Sequence, residues 1–392
     1  GGAGNVQNQA GPPGPPGQVV PSPGSGPCNC VPIQNCADPS SDPTSVQPSI
    51  GTNGAPVLDA VDPRRVVLNV DDRQASICGG AIQICCDNVR QDPGPPPPPP
   101  SVPRGSDECG IRSTNGVGVT ITGSAFQNGQ AQIGEFPWMV AVLDKANNYI
   151  GGASLVHPRV VLTAAHKVHD KVANNMVARI GDWDLSNTDE PIPLQNIDVA
   201  QMVLHPTFDR PTLVNDVALL ILQRDAALSD VVMPICLPQP NTNFDFSSCI
   251  ITGWGKDVFG TTGKYSQILK EVSVPAVSHG QCQSMLRNTR LGSTFTLHNS
   301  FNCAGGNGED ACTGDGGSPL VCPNPSNPNE YVQMGVVAWG IGCGEFGSPG
   351  VYGSIPHTVD WIRGELQKQP KPQGGGFDIR TGQQPSNPRA GV

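Results

Sequence analysis

Short apolar runs, many of them β-branched, recur through residues 109–366, and Gly, Pro and Asn turns separate them. Such runs are typical of buried strands, and none approaches the roughly 18–20 apolar residues that a membrane span needs. We predict an all-β domain whose strands include Val160–Leu162, Val199–Leu204, Val217–Leu222, Ile250–Ile251 and Val332–Trp339. Apolar positions at helical spacing predict a closing amphipathic helix around Val359, Trp361, Ile362 and Leu366.

Composition divides the chain into five segments. Residues 1–27 are mostly Gly, Pro, Gln and Ser and are expected to be disordered, because they have almost nothing to bury. Six cysteines mark residues 28–87 as a small domain, and residues 88–108 form a proline-rich linker that should be stiff and extended. The globular domain spans residues 109–366, and residues 367–392 are expected to be a flexible tail.

Charge and cysteine content narrow the class of protein. The formal net charge is −10 and is spread thinly, so the basic surface of a nucleic-acid binder is not expected. The fourteen cysteines are an even number, and the sequence begins at Gly1 without a signal-type apolar region. This pattern favours a processed, secreted protein in an oxidising compartment.

Three segments carry candidate chemistry, and they occur in the order Leu162–His166, Asn215–Leu220 and Gly314–Leu320. They resemble the His, Asp and Ser motifs of chymotrypsin- and trypsin-like serine proteases, which have the same chain order. Further matching segments are Gly134–Trp138, Gly253–Gly255, Val337–Gly340 and Pro349–Tyr352. The resemblance covers some 250 residues and implies a chymotrypsin-like double β-barrel with a C-terminal helix.

The nucleophile of this resemblance is missing, since Gly316 occupies the serine position. In the family mechanism the histidine, here His166, takes the serine proton and the aspartate, here Asp216, fixes the imidazole tautomer. Removing that serine costs about a million-fold in turnover. We therefore predict a pseudo-protease in which packing retains His166 and Asp216. Ser318 lies roughly 6–7 Å further along an extended chain, beyond hydrogen-bond reach, and is not expected to substitute.

The resemblance also implies a substrate pocket and an oxyanion hole. Asp310 matches the carboxylate that selects Arg or Lys, Gly340 and Gly350 match the pocket walls, and Gly314 and Gly316 match the oxyanion hole. The pocket either captures a basic side chain without cleavage or is an inherited, collapsed feature. We favour the second interpretation because activation is altered as well.

The activation segment departs from the family pattern. Active relatives are cut before an Ile-Val-Gly-Gly start, whereas the corresponding stretch here is Val119–Gly123 and Thr120 offers no tryptic site. Asp315, which would bind the new amino terminus, therefore loses its expected partner.

The resemblance implies a disulfide pairing for the protease-like domain. The implied pairs are Cys109–Cys236, Cys249–Cys322, Cys282–Cys303 and Cys312–Cys343. The family's usual histidine-loop disulfide is absent, because Ile150 and Lys167 hold its two positions. Its loss could loosen the His166 loop by up to a few kcal/mol.

The upstream cysteines resemble a clip domain, whose closing adjacent pair is matched by Cys85 and Cys86. Sequence alone permits fifteen connectivities. The resemblance implies Cys28–Cys85, Cys30–Cys78 and Cys36–Cys86. A zinc site is the alternative, and the absence of C-x2-C pairs together with the oxidising context disfavours it.

Two arginines are candidate cleavage sites. Arg65 ends a dibasic pair between Cys36 and Cys78, and Arg104 follows the proline run. Members of the resembling group are processed in or near the clip domain, which favours one of these bonds. A solvated charged turn is the alternative interpretation of the dibasic pair.

One acidic loop is a candidate calcium site. Some trypsin-like domains bind calcium at this loop through carboxylate and carbonyl oxygens. The alternative, which we favour, is an exposed acidic loop without metal. The candidate ligands are Asp182, Asp184, Asp189 and Glu190.

The combination of clip domain, preserved protease body and missing nucleophile is similar to arthropod homologues that help an active protease convert prophenoloxidase during melanisation. It implies a non-catalytic cofactor in hemolymph, with a clip-domain activating protease and prophenoloxidase as partners and possible oligomers after cleavage. We expect that no cofactor is required, with calcium at the acidic loop as the alternative. Two alternatives remain: a recognition or decoy protein that binds microbial surfaces, inhibitors or basic peptides through Asp310, and a residual enzyme that works through Ser318.

Overall fold

The computed structural model describes six segments with their side chains and four further strands by their backbone alone. The six segments are residues 108–116, 129–186, 194–255, 266–308, 316–341 and 346–370. The four strands are β1 (Asn29–Pro32), β2 (Val66–Asn69), β3 (Gln83–Cys86) and β4 (Val119–Thr122). Strands β1 and β3 pair antiparallel, and β2 pairs in parallel with β4.

Six antiparallel strands close the first barrel in the order β10-β7-β6-β5-β8-β9. The predicted runs Val160–Leu162 and Val199–Leu204 fall within β7 and β9, and the run Val217–Leu222 begins one residue before β10. The six strands are β5 (Met139–Asp144), β6 (Tyr149–His157), β7 (Val160–Thr163), β8 (Met176–Ile180), β9 (Gln195–Leu204) and β10 (Ala218–Leu222). A helix α1 (Ala165–Val168) and a 3-10 helix (Ala173–Asn175) connect β7 to β8.

Six further strands close the second barrel in the order β11-β12-β13-β16-β15-β14. The predicted runs at Ile250 and Val332 belong to it. Its strands are β11 (Ser248–Gly253), β12 (Lys270–Val277), β13 (Phe301–Gly305), β14 (Pro319–Asn324), β15 (Asn327–Trp339) and β16 (Pro349–Ser354). Helix α2 (His279–Arg287) follows β12, and helix α3 (Ile355–Leu366) follows β16. The all-β prediction with a C-terminal helix is confirmed.

The hydrophobic core explains why both barrels have continuous apolar strands. All five residues of β10 are buried, because one face fills the barrel interior and the other packs outside it. One buried cluster joins the two barrels through Trp138 and Trp254, and Ile355, Ile362 and Leu366 of α3 pack against the same cluster. The closing helix therefore fixes the barrels relative to each other. Within the described part of the chain, no helix is long and apolar enough to cross a membrane.

Three disulfide bonds fasten the double barrel. They are Cys109–Cys236, Cys249–Cys322 and Cys282–Cys303, the same pairs that the family resemblance implies. Cys312, Cys343 and the clip-type pairs lie outside the residues whose side chains are described.

Arg112 links the segment 108–116 to the loop before β5 and to strand β12 of the second barrel. Its guanidinium donates to Glu135 at 2.6 Å and to Glu271 of β12 at 2.6 Å, and it lies 4.8 Å from the centre of the Phe136 ring. Burial raises the pKa of Glu135, and burial together with the Glu135 charge raises the pKa of Glu271, while Arg112 opposes both shifts. The cluster thus places one cation between two carboxylates that have lost much of their water.

A buried histidine at the end of β6 makes stability depend on pH. His157 is 1% exposed, its Nδ1 accepts the Arg159 backbone N–H at 3.1 Å, and burial lowers its pKa from 6.5 to about 4. The unfolded chain therefore binds more protons than the folded chain between these values. The stabilising contribution is complete above pH 6.5 and is lost as the pH falls towards 4.

We expect His157→Gln to remove part of this acid sensitivity. Between pH 7 and pH 4.5 the variant should lose about 2–3 kcal/mol less free energy of unfolding than the wild type, from the size of the shift. Urea unfolding at the two pH values measures the difference, and His279→Gln on the exposed face of α2 is the control. Equal losses in the wild type and the His157 variant would contradict the prediction.

Candidate functional site

The pairing of two strands in the first barrel brings the candidate acid–base residues together. Strands β7 and β10 are antiparallel, with Ala218 opposite Thr163. His166 lies three residues beyond Thr163 on helix α1, and Asp216 lies two residues before Ala218. Because the end of one strand meets the start of the other, both residues emerge at the same edge of the barrel.

His166 and Asp216 form a tightly oriented pair. His166 Nδ1 lies 2.6 Å from Asp216 Oδ2, and the His166 backbone N–H donates to Asp216 Oδ1 at 2.7 Å. The Asp216 side chain is fully buried, whereas 24% of the His166 side chain remains exposed. One carboxylate oxygen thus holds the His166 backbone and the other holds its imidazole, which leaves Nε2 on the opposite side of the ring.

A short turn holds Asp216 in place. Asn215 adopts a φ of 56°, and its backbone N–H donates to Ser300 Oγ at 3.1 Å. The Asn215 side-chain amide donates to Thr207 Oγ1 at 2.9 Å. The bond to Ser300 ties the Asp216 turn to the second barrel, since Ser300 immediately precedes β13, and the bond to Thr207 ties it to the loop after β9 in the first barrel.

The second barrel presents Gly316 to the histidine. A Cβ atom placed on Gly316 would lie 3.1 Å from His166 Nε2, and the Gly316 carbonyl accepts the Gly152 N–H at 3.2 Å. The next residue, Gly317, donates its N–H to the Val337 carbonyl at 3.0 Å. A side chain at position 316 would therefore point directly at the imidazole, but glycine supplies no atom there.

Ser318 is buried at the interface between β14 and β6. Its side chain is fully buried, and a Cβ atom on Gly152 would lie 1.9 Å from Ser318 Oγ. The hydroxyl is thus packed against the Gly152 backbone, away from solvent. A buried hydroxyl in this position has no path to an external substrate.

The pocket residues are described only in part. Gly340 follows the end of β15 and is partly exposed, while Gly350 lies buried in β16 opposite Ala304 of β13. Asp310 and Gly314, together with the cleavage candidates Arg65 and Arg104, lie outside the described residues. The pocket and cleavage assignments therefore stay predictions.

The acidic loop is likewise described in part, and the expectation of an exposed loop is wrong for Asp182 and Asp184, which are both buried. Asp182 is buried, with Arg179 Nη1 3.6 Å from its Oδ2, and Asp184 accepts both the backbone N–H and the hydroxyl of Ser186. Asp189 and Glu190 lie outside the described residues. The calcium hypothesis stays a prediction, and no His, Cys, Asp and Glu cluster suited to a metal occurs in the described segments.

Lys167 is a site residue whose role the sequence does not indicate. It occupies one position of the missing histidine-loop disulfide, and its stem lies against Gly316. Ile150, at the other position, packs instead against the core of the first barrel. The lost disulfide is therefore replaced by an apolar contact on one side and by a lysine beside His166 on the other.

Comparisons with known proteins identify the family of this chain. The trypsin family model matches residues 126–362. Phenoloxidase-activating factor 2 of Galleria mellonella is 48% identical over 268 residues, which cover 65% of this chain and 87% of the relative. Inactive CLIP domain-containing serine protease A8 of Anopheles gambiae is 38% identical over 304 residues, with 75% and 80% covered. The chain belongs to the trypsin family, as a clip-domain serine protease homologue.

A longer match extends upstream of the double barrel. Inactive CLIP domain-containing serine protease A28 of Anopheles gambiae is 36% identical over 334 residues, which cover 81% of this homologue and 84% of the relative. An alignment of that length includes residues on the N-terminal side of the trypsin match. The homologue therefore shares more than its protease-like domain with relatives that are named inactive.

Proposed function

We propose that this homologue is a non-catalytic cofactor in an extracellular protease cascade that converts prophenoloxidase. The observation that carries the proposal is the ordered His166–Asp216 pair facing glycine at position 316. A base and its orienting carboxylate cannot perform nucleophilic catalysis without a hydroxyl to activate. Loss of the nucleophile lowers turnover about a million-fold in such sites.

The preserved fold supports a binding role in place of catalysis. The two closed barrels, the closing helix and the buried Asp216 turn form a complete protease-like fold, and such a fold can bind a protein partner without a nucleophile. The similarity to relatives named as a phenoloxidase-activating factor and as inactive clip-domain proteases also supports a non-catalytic role. The proposed partners are a clip-domain activating protease and prophenoloxidase, and the proposed location is hemolymph.

Burial weighs against the residual-enzyme alternative. Ser318 is the candidate nucleophile nearest to Gly316 in sequence, and its hydroxyl is packed against Gly152 with no exposed surface. An attacking oxygen must approach a substrate carbonyl to about 3–3.5 Å. The fold would have to open at the interface of β6 and β14 before this serine could react.

We expect cofactor activity to depend on cleavage and to occur without peptide hydrolysis. Intact protein and protein cut by a trypsin-like protease are each mixed with prophenoloxidase and its activating protease, and an Arg-peptide substrate is assayed in parallel. Phenoloxidase activity should rise only with the cut form, while Arg-peptide hydrolysis stays at background.

An uncleavable variant is the control for the cut. The triple variant Arg64→Gln, Arg65→Gln, Arg104→Gln should lose the activating effect of the protease treatment. Full cofactor activity of this variant would refute a cleavage switch at these sites. Hydrolysis of the Arg peptide by the purified homologue alone would overturn the non-catalytic proposal.

A further inference from the structure

The space that a nucleophile would occupy is bordered by a lysine as well as by the histidine. A Cβ atom placed on Gly316 would lie 3.0 Å from Lys167 Cδ and 3.1 Å from His166 Nε2. The lysine stem and the imidazole therefore meet at the same point above residue 316. Real Cβ atoms seldom have neighbours this close, so the space is already filled to contact.

A second glycine completes the groove in which the lysine lies. A Cβ atom placed on Gly151 of β6 would lie 2.8 Å from Lys167 Cε and 2.6 Å from the Gly316 carbonyl oxygen. Any side chain at position 151 would thus displace the lysine stem or the backbone at residue 316. The stem of Lys167 is partly buried, which suits four methylene groups that cover apolar backbone surface.

We propose that Lys167 closes the vestigial site by laying its stem in the groove between Gly151 and Gly316. A substrate carbonyl would have to come within about 3–3.5 Å of an atom at position 316, and the stem stands in that approach. The missing hydroxyl and the occupied groove are two separate barriers. Restoring a reactive group at residue 316 would leave the second barrier in place.

This inference rests on the proposed function only in taking residue 316 as the nucleophile position. It therefore needs a measurement that involves neither cofactor activity nor peptide cleavage. The rate at which a thiol introduced by Gly316→Cys reacts with iodoacetamide reports access to this point directly. The neighbours of the new Cβ are side-chain atoms of Lys167 and His166, which can shift by a few tenths of an ångström.

Three backgrounds separate the bulk of the lysine from its charge. The first protein carries Gly316→Cys alone. The second adds Lys167→Ala, which removes the stem, and the third adds Lys167→Met, which keeps an unbranched stem without the charge. We expect slow alkylation of the thiol in the single variant and in the Lys167→Met background. In the Lys167→Ala background the alkylation rate should rise about ten-fold or more, which corresponds to about 1.4 kcal/mol of lost steric barrier. Lys171→Ala, at an exposed lysine four residues further on, should change nothing.

The sign of the effect distinguishes space from electrostatics. A nearby cation lowers the pKa of a thiol and speeds its reaction, so losing the charge of Lys167 would by itself slow alkylation. An increase with alanine but not with methionine can therefore come only from the removed stem. Rapid alkylation with Lys167 present, slow alkylation in all backgrounds, or equal acceleration by alanine and methionine would each overturn the proposal.

A second measurement covers the case in which the introduced thiol disturbs disulfide formation. With Gly316 unchanged, modification of His166 by diethyl pyrocarbonate is followed by mass spectrometry in the wild type, Lys167→Ala and Lys167→Met. The alanine variant should be modified faster than the other two, and equal rates would count against closure. Failure of either access measurement would leave the cofactor proposal standing, and failure of the cascade assay would leave this inference standing.

Discussion

Replacing Arg112 with alanine is expected to lower the free energy of unfolding by about 3 kcal/mol, because it leaves two carboxylates without their shared cation in a partly dry site. The side chains of Arg112, Glu135 and Glu271 are 17%, 3% and 25% exposed, so water can replace the lost guanidinium only in part. Urea unfolding at pH 7 measures the loss.

The pH dependence of this loss identifies its cause. The pKa of Glu135 and that of Glu271 are already raised by burial, and without Arg112 they should rise further. A raised pKa means that the folded variant takes up protons as the pH falls, which neutralises the buried charge. The deficit of Arg112→Ala relative to the wild type should therefore be smaller at pH 5 than at pH 7.

An exposed ion pair provides the matched control. Lys145 contacts Asp198 with both side chains more than 40% exposed, and Lys145→Ala should cost less than about 1 kcal/mol at any pH. A cost for Arg112→Ala as small as this, or one that does not change with pH, would show that the cluster does not hold the segment in the way described.

Gly317→Ala is expected to be the most damaging of the substitutions considered, at more than about 4 kcal/mol. Gly317 has a φ of 90°, and an added Cβ would lie 2.3 Å from Thr163 Oγ1 and 2.4 Å from the Gly152 carbonyl oxygen. Thr163 Oγ1 itself donates to that carbonyl at 2.8 Å, and both groups are buried between the barrels. Neither the Thr163 hydroxyl nor the Gly152 carbonyl can move without disturbing the hydrogen bond between them and the backbone packing beside Gly316.

A second glycine separates backbone strain from overlap. Gly292, in the loop after α2, has a φ of 81° and no neighbouring atom within 4 Å of an added Cβ. Gly292→Ala should lower the free energy of unfolding only by the cost of placing an L-residue in the left-handed conformation, about 1–2 kcal/mol. Thermal unfolding of the two variants compares their losses of stability. Similar losses would mean that the backbone around residue 317 rearranges to make room for the added methyl group.

The sequence was sufficient for the elements whose signal is local. The predicted run Val217–Leu222 matches β10 to within one residue, and the apolar spacing around Val359 and Ile362 falls within α3, because burial of nearby residues leaves a pattern in the sequence. The length of β9 was not predictable from such a pattern. It begins at Gln195 among polar residues, which are strand because β8 pairs with them.

The same distinction applies to the site. The placement of His166, Asp216 and Gly316 followed from motifs that resemble a known family. Lys167 and Arg112 carry no motif, since their roles depend on distant neighbours. The Lys167 stem needs glycine at positions 151 and 316, and the partner of Arg112 at Glu271 lies 159 residues away in sequence. Contacts of this kind exist only once both barrels have formed.

The positions of the disulfide bonds relative to the two candidate cleavage sites determine which proteolytic products stay covalently linked. Arg65 and Arg104 both precede Cys109, so the Cys109–Cys236 bridge retains neither N-terminal product. With the clip-type pairing that the resemblance implies, each clip bridge spans Arg65 and none spans Arg104. A cut after Arg104 would leave residues 1–104 held only by non-covalent contacts such as the pairing of β2 with β4, whereas a cut after Arg65 would keep both pieces in one covalent molecule at high effective concentration.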